Sequence, residues 1–301
     1  MVKVKVPATS ANLGSGFDAL GIALSLYNEV YMEECDGCFI ESMDGVAVPT
    51  DESNMIYSSA KRMFDICGRP FYGLKIRQIN NIPLTRGLGS SSACLVAGIA
   101  GANRLLGDPL STHELVNLAA AMEGHPDNTT PALVGGLVTC AVSEGRVYYV
   151  SVPVSGKFRF AAMIPPEPLS TELSRSVLPN SVTRERAVFN LSRTALMTAS
   201  LFSGDIENIK IATDDVLHQP YRLGLIKGGD AAFRIARELG AFGVYISGAG
   251  STIMAIIDKQ NNSFKDKAIL NLNKNGAFDW DVQILDCDEQ GAEITLTQEG
   301  M

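Results

Sequence analysis

Between Pro83 and Ala93 the chain reads Pro-Leu-Thr-Arg-Gly-Leu-Gly-Ser-Ser-Ser-Ala: two close glycines, three consecutive hydroxyls, then a long small-residue apolar run that opens a helix. This is the make-up of a phosphate cradle. Glycine lets the main chain approach an anion and turn its N–H groups inward, and a helix beginning near Ser91 adds unpaired donors and the positive end of its dipole. Hydroxyls placed there can meet Mg²⁺ or phosphate oxygen. The Lys of the common G-x-x-x-x-G-K-[ST] loop is missing, so a nucleotide held here meets its cations elsewhere. Taken alone, the run could also be a plain glycine-serine turn.

The chain has 301 residues, 46% of them apolar and 19% charged, long enough for two domains of about 150 residues each. A formal charge of −8 with scattered Lys and Arg argues against a nucleic-acid partner and leaves room for a small anion at a local site. The N-terminus enters an alternating strand, Val2 to Val6, with no apolar signal core. No stretch approaches the roughly 18 apolar residues of a membrane span, so no membrane partner and a cytoplasmic location are expected. Of the six cysteines, Cys67, Cys94, Cys140 and Cys287 sit in apolar or amphipathic surroundings and read as buried free thiols. Cys35-Asp36-Gly37-Cys38 matches C-x-x-C. Asp-Gly between two strand-like runs is also a hairpin turn, and no second Cys or His pair supplies the other half of a zinc site.

Apolar spacing predicts a helix over 53–67, a strand over Leu74–Ile79, a buried helix over 91–106 and, from the capping box Ser111-Thr112-His113-Glu114, a helix through Met122. Strands follow at 137–142, 146–152 and 158–164, and the sequence changes character near residue 155. Beyond it come helices over 171–178, 183–203, 205–216 and 230–239, a strand at 243–247, a helix at 262–274 and a strand at 281–285. Strands and helices mix without strict βαβ alternation, which points to an α+β protein of two domains, 1–155 and 156–301.

Three further runs carry possible chemistry. Gly14-Ser15-Gly16-Phe17-Asp18-Ala19 fits G-x-G-x-x-A, but its glycines come eight residues after the strand ends at Val6, and a dinucleotide turn must follow its strand at once. The polar segment from Pro7 to Gly21 is therefore expected as a ligand-facing loop. In Glu123-Gly124-His125-Pro126-Asp127-Asn128, Glu123 and Ser91 would make a pair of hard oxygen ligands for Mg²⁺; alternatively Glu123 solvates a helix end and Asp127 caps the next helix. Ser247-Gly248-Ala249-Gly250-Ser251-Thr252 is a second glycine-serine turn, either a wall packed on the first or only a turn.

Together the three runs P-A-T-S-A-N-L-G-x-G-F-D, P-x-x-x-G-L-G-S-S-S-A and S-G-A-G-S-T resemble, in order and over essentially the whole chain, the three motifs of the GHMP small-molecule kinase superfamily. Within it, Pro7–Gly21 and Glu123–Ala132 are similar to the homoserine kinase family. The resemblance implies a ribosomal protein S5 domain 2-like N-terminal domain, a ferredoxin-like C-terminal domain, and phosphorylation of L-homoserine to O-phospho-L-homoserine on the way to threonine, with ATP and Mg²⁺. It places the nucleotide loop on Pro83, Leu84, Thr85, Arg86, Gly87, Leu88, Gly89, Ser90, Ser91, Ser92 and Ala93, with Asn54 near the adenine. Ser91 and Glu123 become the Mg²⁺ ligands and act in catalysis with Asn128, while Asn12, Asp18, His125, Asn128, Thr171, Arg175 and Arg222 become substrate residues.

Those types suit an amino acid: two arginines can hold a carboxylate and Asp18 an ammonium. Arg175 lies four residues after Thr171 and so shares its helical face, while Arg222 ends His218-Gln219-Pro220-Tyr221 in another loop. Without the resemblance either arginine could be a surface charge. Some relatives carry S-G-x-x-H-x-D-N; this chain is contracted before His125, which leaves the place of that residue open. Other superfamily members use an Asp base with a nearby Lys, and no Lys lies within the three motifs here. The alternatives are a mevalonate-type, sugar or diphosphocytidyl-methylerythritol kinase, or a non-catalytic nucleotide-binding sensor. A homodimer is left open.

Overall fold

In a computed structural model of the chain, which describes residues 1–297, the first strand does not stop at Val6. Strand β1 runs Val2–Ala11 and pairs antiparallel with β2, Leu20–Glu34. The register shifts between Pro7 and Ala8, where the proline has no N–H to give the ladder and a bulge lets pairing resume. Thr9 and Ser10 are therefore buried strand residues, and the loop begins only at Asn12. There Asn12 and Leu13 turn the chain through φ of 71° and 45°.

Strands β3 (Gly37–Ser42), β4 (Gly73–Asn80), β5 (Leu137–Ser143), β6 (Arg146–Val152) and the late strand β11 (Glu293–Leu296) complete a seven-stranded sheet ordered β11-β1-β2-β4-β3, with β5 on β2 and β6 on β5. The hairpin expected at Cys35–Cys38 is not one. β3 pairs in parallel with β4, which lies between it and β2, so the Asp-Gly turn closes no two-stranded ladder.

Helices α1 (Met55–Ile66), α2 (Ser90–Leu105), α3 (Thr112–Glu123) and α4 (Pro126–Val134) accompany this sheet. The capping box at Ser111 forms as expected, with Glu114 answering the Ser111 backbone N–H. Asp127, weighed as the cap of this last helix, lies inside its first turn instead, and His125 takes the cap position. Pro126 sits in the first turn, where its missing N–H is no loss, and Pro131 only frees the carbonyl of Asp127.

The second sheet contains β7 (Phe158–Ile164), β8 (Gly243–Ile246), β9 (Ile253–Asp258) and β10 (Asp281–Leu285) in the antiparallel order β10-β7-β9-β8, which is the ferredoxin-like order. Between β7 and β8 lie α5 (Thr171–Ser176), α6 (Arg184–Ser203), α7 (Ile206–Ala212), α8 (Gln219–Arg222) and α9 (Gly229–Glu238); α10 (Phe264–Lys274) follows β9. The loop expected to end at Arg222 is thus a one-turn helix.

Alternation along β7 and β9 builds two cores. Phe158, Phe160, Met254 and Ile256 join the large core shared with the first sheet, while Ala161, Met163, Ile253 and Ala255 face α9 and α10. A division near residue 155 remains our proposal for the domains, with β11 counted in the first sheet because it pairs with β1.

Candidate active site

The glycine loop is wedged between the other two motifs. Gly87 has φ +76°, and a Cβ there would lie 2.2 Å from the Ser247 carbonyl oxygen; Gly89 has φ +70°, and a Cβ there would lie 1.9 Å from Thr9 Oγ1. Only glycine allows that approach together with that backbone. Gly89 caps α2 without a side-chain bond, so the first N–H groups of the helix, at Ser90 to Ser92, have no partner inside it. The Ser90 hydroxyl is buried with no hydrogen-bond partner. Arg86 turns aside, its Nε donating to the Pro165 carbonyl at 3.0 Å.

Of the three serines, Ser92 reaches Glu123: its Oγ donates to Oε1 at 2.9 Å. Ser91 instead lies 3.3 Å from Met55 Sδ. The hydroxyl beside the carboxylate is therefore one residue later than expected, because the packing of α2 against α3 turns Ser92 inward, where it is buried. A carboxylate and a hydroxyl at the end of an anion-binding helix fit a Mg²⁺ ion that phosphate and water would complete. Among the described residues no three His, Cys, Asp or Glu side chains converge to cage a metal by themselves. Asn54 does not reach the cleft; it caps α1 through the N–H groups of Ile56 and Tyr57 and donates to the Pro49 carbonyl.

The first and third motifs lock onto each other. Asn12 Nδ2 donates to the Gly248 carbonyl at 2.9 Å, its Oδ1 accepts from the Asp18 N–H at 3.0 Å, and the Gly248 N–H donates to the Ala11 carbonyl. The Ser247 hydroxyl donates to the Gly87 carbonyl at 2.6 Å and lies 2.7 Å from the Ser10 hydroxyl, itself 3.2 Å from the buried Tyr245 hydroxyl. The late glycine-serine turn is thus a wall of the site.

Two arginines converge on Phe17. Arg175, on α5 with Thr171, pairs with Asp18 through two bonds of 2.8 and 3.2 Å, and its guanidinium lies 5.7 Å from the Phe17 ring centre. Arg222 is 1% exposed and 5.1 Å from the same ring. Its Nε donates to Ser174 and its Nη1 to the Gly248 carbonyl, both at 3.1 Å, but its Nη2 has no partner among the described residues. Burial, and then repulsion from Arg175, push its pKa down to about 10. A buried cation with no contacting carboxylate and a free donor edge is a site for an anion.

Opposite them, His125 Nδ1 bonds Asp127 Oδ1 at 2.8 Å, which raises the imidazole above its ordinary value. Asn128 holds the Thr9 hydroxyl on its Oδ1 at 2.8 Å. These groups face one cleft of about 390 Å³, which gathers Asn12, Asp18, Gly87, Ser91, Glu123, His125, Asn128, Thr171, Arg175 and Arg222. Pro83, Leu84, Leu88 and Ala93 lie outside it; Leu88 and Ala93 are core residues. The cleft takes in Gly248, Ala249 and Gly250 of the late turn, and also Met122, Asp127 and Leu169, three residues the sequence did not point to. Asp127 was weighed only as a cap, although it stands between two expected site residues.

Residues 54–136 match the family described as GHMP kinases N terminal domain, and residues 197–275 match GHMP kinases C terminal. The chain is 44% identical to the homoserine kinase of Caldicellulosiruptor saccharolyticus over 99% of its own length and 98% of that protein's. It is also 44% identical to the homoserine kinase of Clostridium beijerinckii, over 98% of each. Among solved structures, the homoserine kinase of Cytophaga hutchinsonii superposes with a TM-score of 0.87 at 29% identity, covering 98% of this chain and 97% of that one.

Proposed function

Since the chain belongs to the homoserine kinase family of the GHMP kinases, we propose that it transfers the γ-phosphoryl group of ATP to the side-chain hydroxyl of L-homoserine, giving O-phospho-L-homoserine and ADP. The observation that carries the substrate reading is Arg222, a buried cation that lines the cleft and whose Nη2 has no partner among the described residues. A substrate carboxylate supplies the missing acceptor, and Asp18 on the same side suits an ammonium. Sugars offer neither charge.

The triphosphate belongs at the glycine loop and the free N–H groups of α2. Glu123 and Ser92 would hold Mg²⁺, with Ser91 on the same turn; when bound, the ion offsets negative charge building on the phosphoryl oxygens. Asn128, fixed by Thr9, orients the hydroxyl. That oxygen forms the new bond to phosphorus as the bond to the ADP oxygen breaks, and the hydroxyl proton leaves to a phosphate oxygen. Positioning and charge stabilisation account for most of such a reaction.

A cytoplasmic setting goes with this reading and is supported by six free thiols. Among the described residues no helix is long and apolar enough to cross a membrane. The test is ADP release with Mg²⁺-ATP across L-homoserine, L-serine, L-threonine, mevalonate and galactose. Turnover should depend on L-homoserine; equal turnover of mevalonate would contradict the substrate while sparing the kinase class.

A further inference from the structure

Arg222 has five N–H donors, and the fold fixes three of them. Nε goes to the Ser174 carbonyl, one Nη1 proton to the Gly248 carbonyl, and the other to His218 Nδ1 at 3.3 Å. His218 is fully buried, stacked on Phe17 with ring centres 5.2 Å apart, and its Nε2 lies 2.7 Å from the Gly14 carbonyl oxygen. A carbonyl oxygen only accepts. Nε2 must therefore carry the proton, leaving Nδ1 as a lone pair aimed at Arg222.

The frame around the ring is built as tightly. Asp215 Oδ2 accepts the N–H groups of His218 and Gln219 at 2.9 and 2.6 Å, and Oδ1 accepts from Leu217 and from Asn190 Nδ2. This carboxylate starts α8, which carries His218 at its cap and Arg222 one turn on. Burial outweighs Asp215 Oδ2, which lies 3.6 Å from Nε2 and favours a charged ring, and with the nearby Arg222 guanidinium pushes the His218 imidazole below its ordinary value, in keeping with a neutral ring beside a guanidinium.

We propose that His218 is a positioning residue for substrate binding: its Nε2-protonated, neutral ring fixes the rotation of the Arg222 guanidinium so that Nη2 faces the substrate carboxylate. Without the Nδ1 acceptor, Nη1 loses one of its two anchors and the guanidinium can turn Nη2 away from the cleft. The inference rests on the reading of Arg222 as the carboxylate anchor.

Two amide variants separate the two ring nitrogens. In His218→Asn the amide oxygen stands near the Nδ1 position and can still accept from Arg222. In His218→Gln the amide reaches the Nε2 position, can still donate to Gly14, and gives Arg222 nothing. Loss of one charge-assisted bond in H218Q should raise the Michaelis constant for homoserine about 10-fold and leave that for ATP unchanged. H218N should stay within about 3-fold of the parent, since it keeps that bond. Arg222→Ala should raise the same constant roughly 30-fold, and adding H218Q to R222A should change nothing more.

Equal effects of H218N and H218Q, or a full H218Q effect on top of R222A, would overturn the role of His218 alone. An R222A protein with unchanged homoserine affinity would overturn the carboxylate reading and this inference with it. Should H218Q not fold, ¹⁵N-histidine NMR of the unaltered chain, which has three histidines, decides the point. An unprotonated Nδ1 on His218 whose resonance moves on saturation with homoserine is expected; a protonated Nδ1 overturns the proposal.

Discussion

Ser92 and Glu123, on different helices, meet with Oγ donating to Oε1 at 2.9 Å beside the free N-terminus of α2. Glu123→Gln keeps the shape and removes the charge, and turnover should fall on the order of 100-fold or more if a metal ligand is lost. Ser92→Ala should cost more activity than Ser91→Ala, because Ser91 turns toward Met55. Steady-state rates at saturating Mg²⁺ check both. Near-normal E123Q would leave Glu123 as a helix-end carboxylate.

Gly87→Ala should damage both stability and ATP binding. The new Cβ meets two backbone carbonyls, Ser247 at 2.2 Å and Gly250 at 2.8 Å, and neither can rotate aside. We expect a loss of roughly 3 kcal/mol or more, the range of severe backbone clashes. Gly107 supplies the control: its φ is +85° with nothing near a Cβ, so Gly107→Ala should cost about 1 kcal/mol and leave activity intact. Denaturant midpoints of the two variants make the comparison.

The His125–Asp127 contact has a pH signature. Its hydrogen bond raises the folded-state pKa of His125 above the ordinary 6.5, so the folded chain holds that proton more tightly than the unfolded chain. The resulting stability is fully present below 6.5 and is lost as pH rises through the raised value. Comparing the parent with His125→Gln removes the contributions of other groups. The parent's advantage should be larger at about pH 5.5 than at about pH 8, read from urea unfolding; an advantage independent of pH would contradict it.

For Cys35 and Cys38, both half-buried where β2 gives way to β3, we expect no bound zinc. Cys35 Sγ has only the Gly37 carbonyl at 3.7 Å. The double serine variant should keep full activity, and metal analysis should find far less than one zinc per chain.

What the sequence made legible was local. The glycine loop, the capping box at Ser111 and the helices expected over 53–67 and 91–106 depend on neighbours in the chain, and they appear within a residue or two of where they were expected. The convergence of Thr171, Arg175 and Arg222 on Asn12 and Asp18 came from resemblance to a family, since no spacing rule links residues that far apart. Three misses have tertiary causes. β3 joins β4 in parallel across a connection no hairpin rule describes. β1 passes through Pro7 because a bulge repairs its ladder. Ser92 rather than Ser91 faces Glu123 because only packing sets the rotation of α2, where each residue turns by about 100°. Asp215 and His218 carried no motif; their role depends on burial beneath the first loop.

The most direct measurement follows the phosphoryl group itself. The chain is incubated with L-homoserine and ATP labelled with ¹⁸O on the γ-phosphoryl oxygens, and the products are examined by ³¹P NMR and mass spectrometry. The account predicts O-phospho-L-homoserine with three labelled non-bridging oxygens and an unlabelled ester oxygen from the homoserine hydroxyl, formed one for one with ADP. Labelled inorganic phosphate alone, or a phosphoryl group on the homoserine carboxylate, would contradict it.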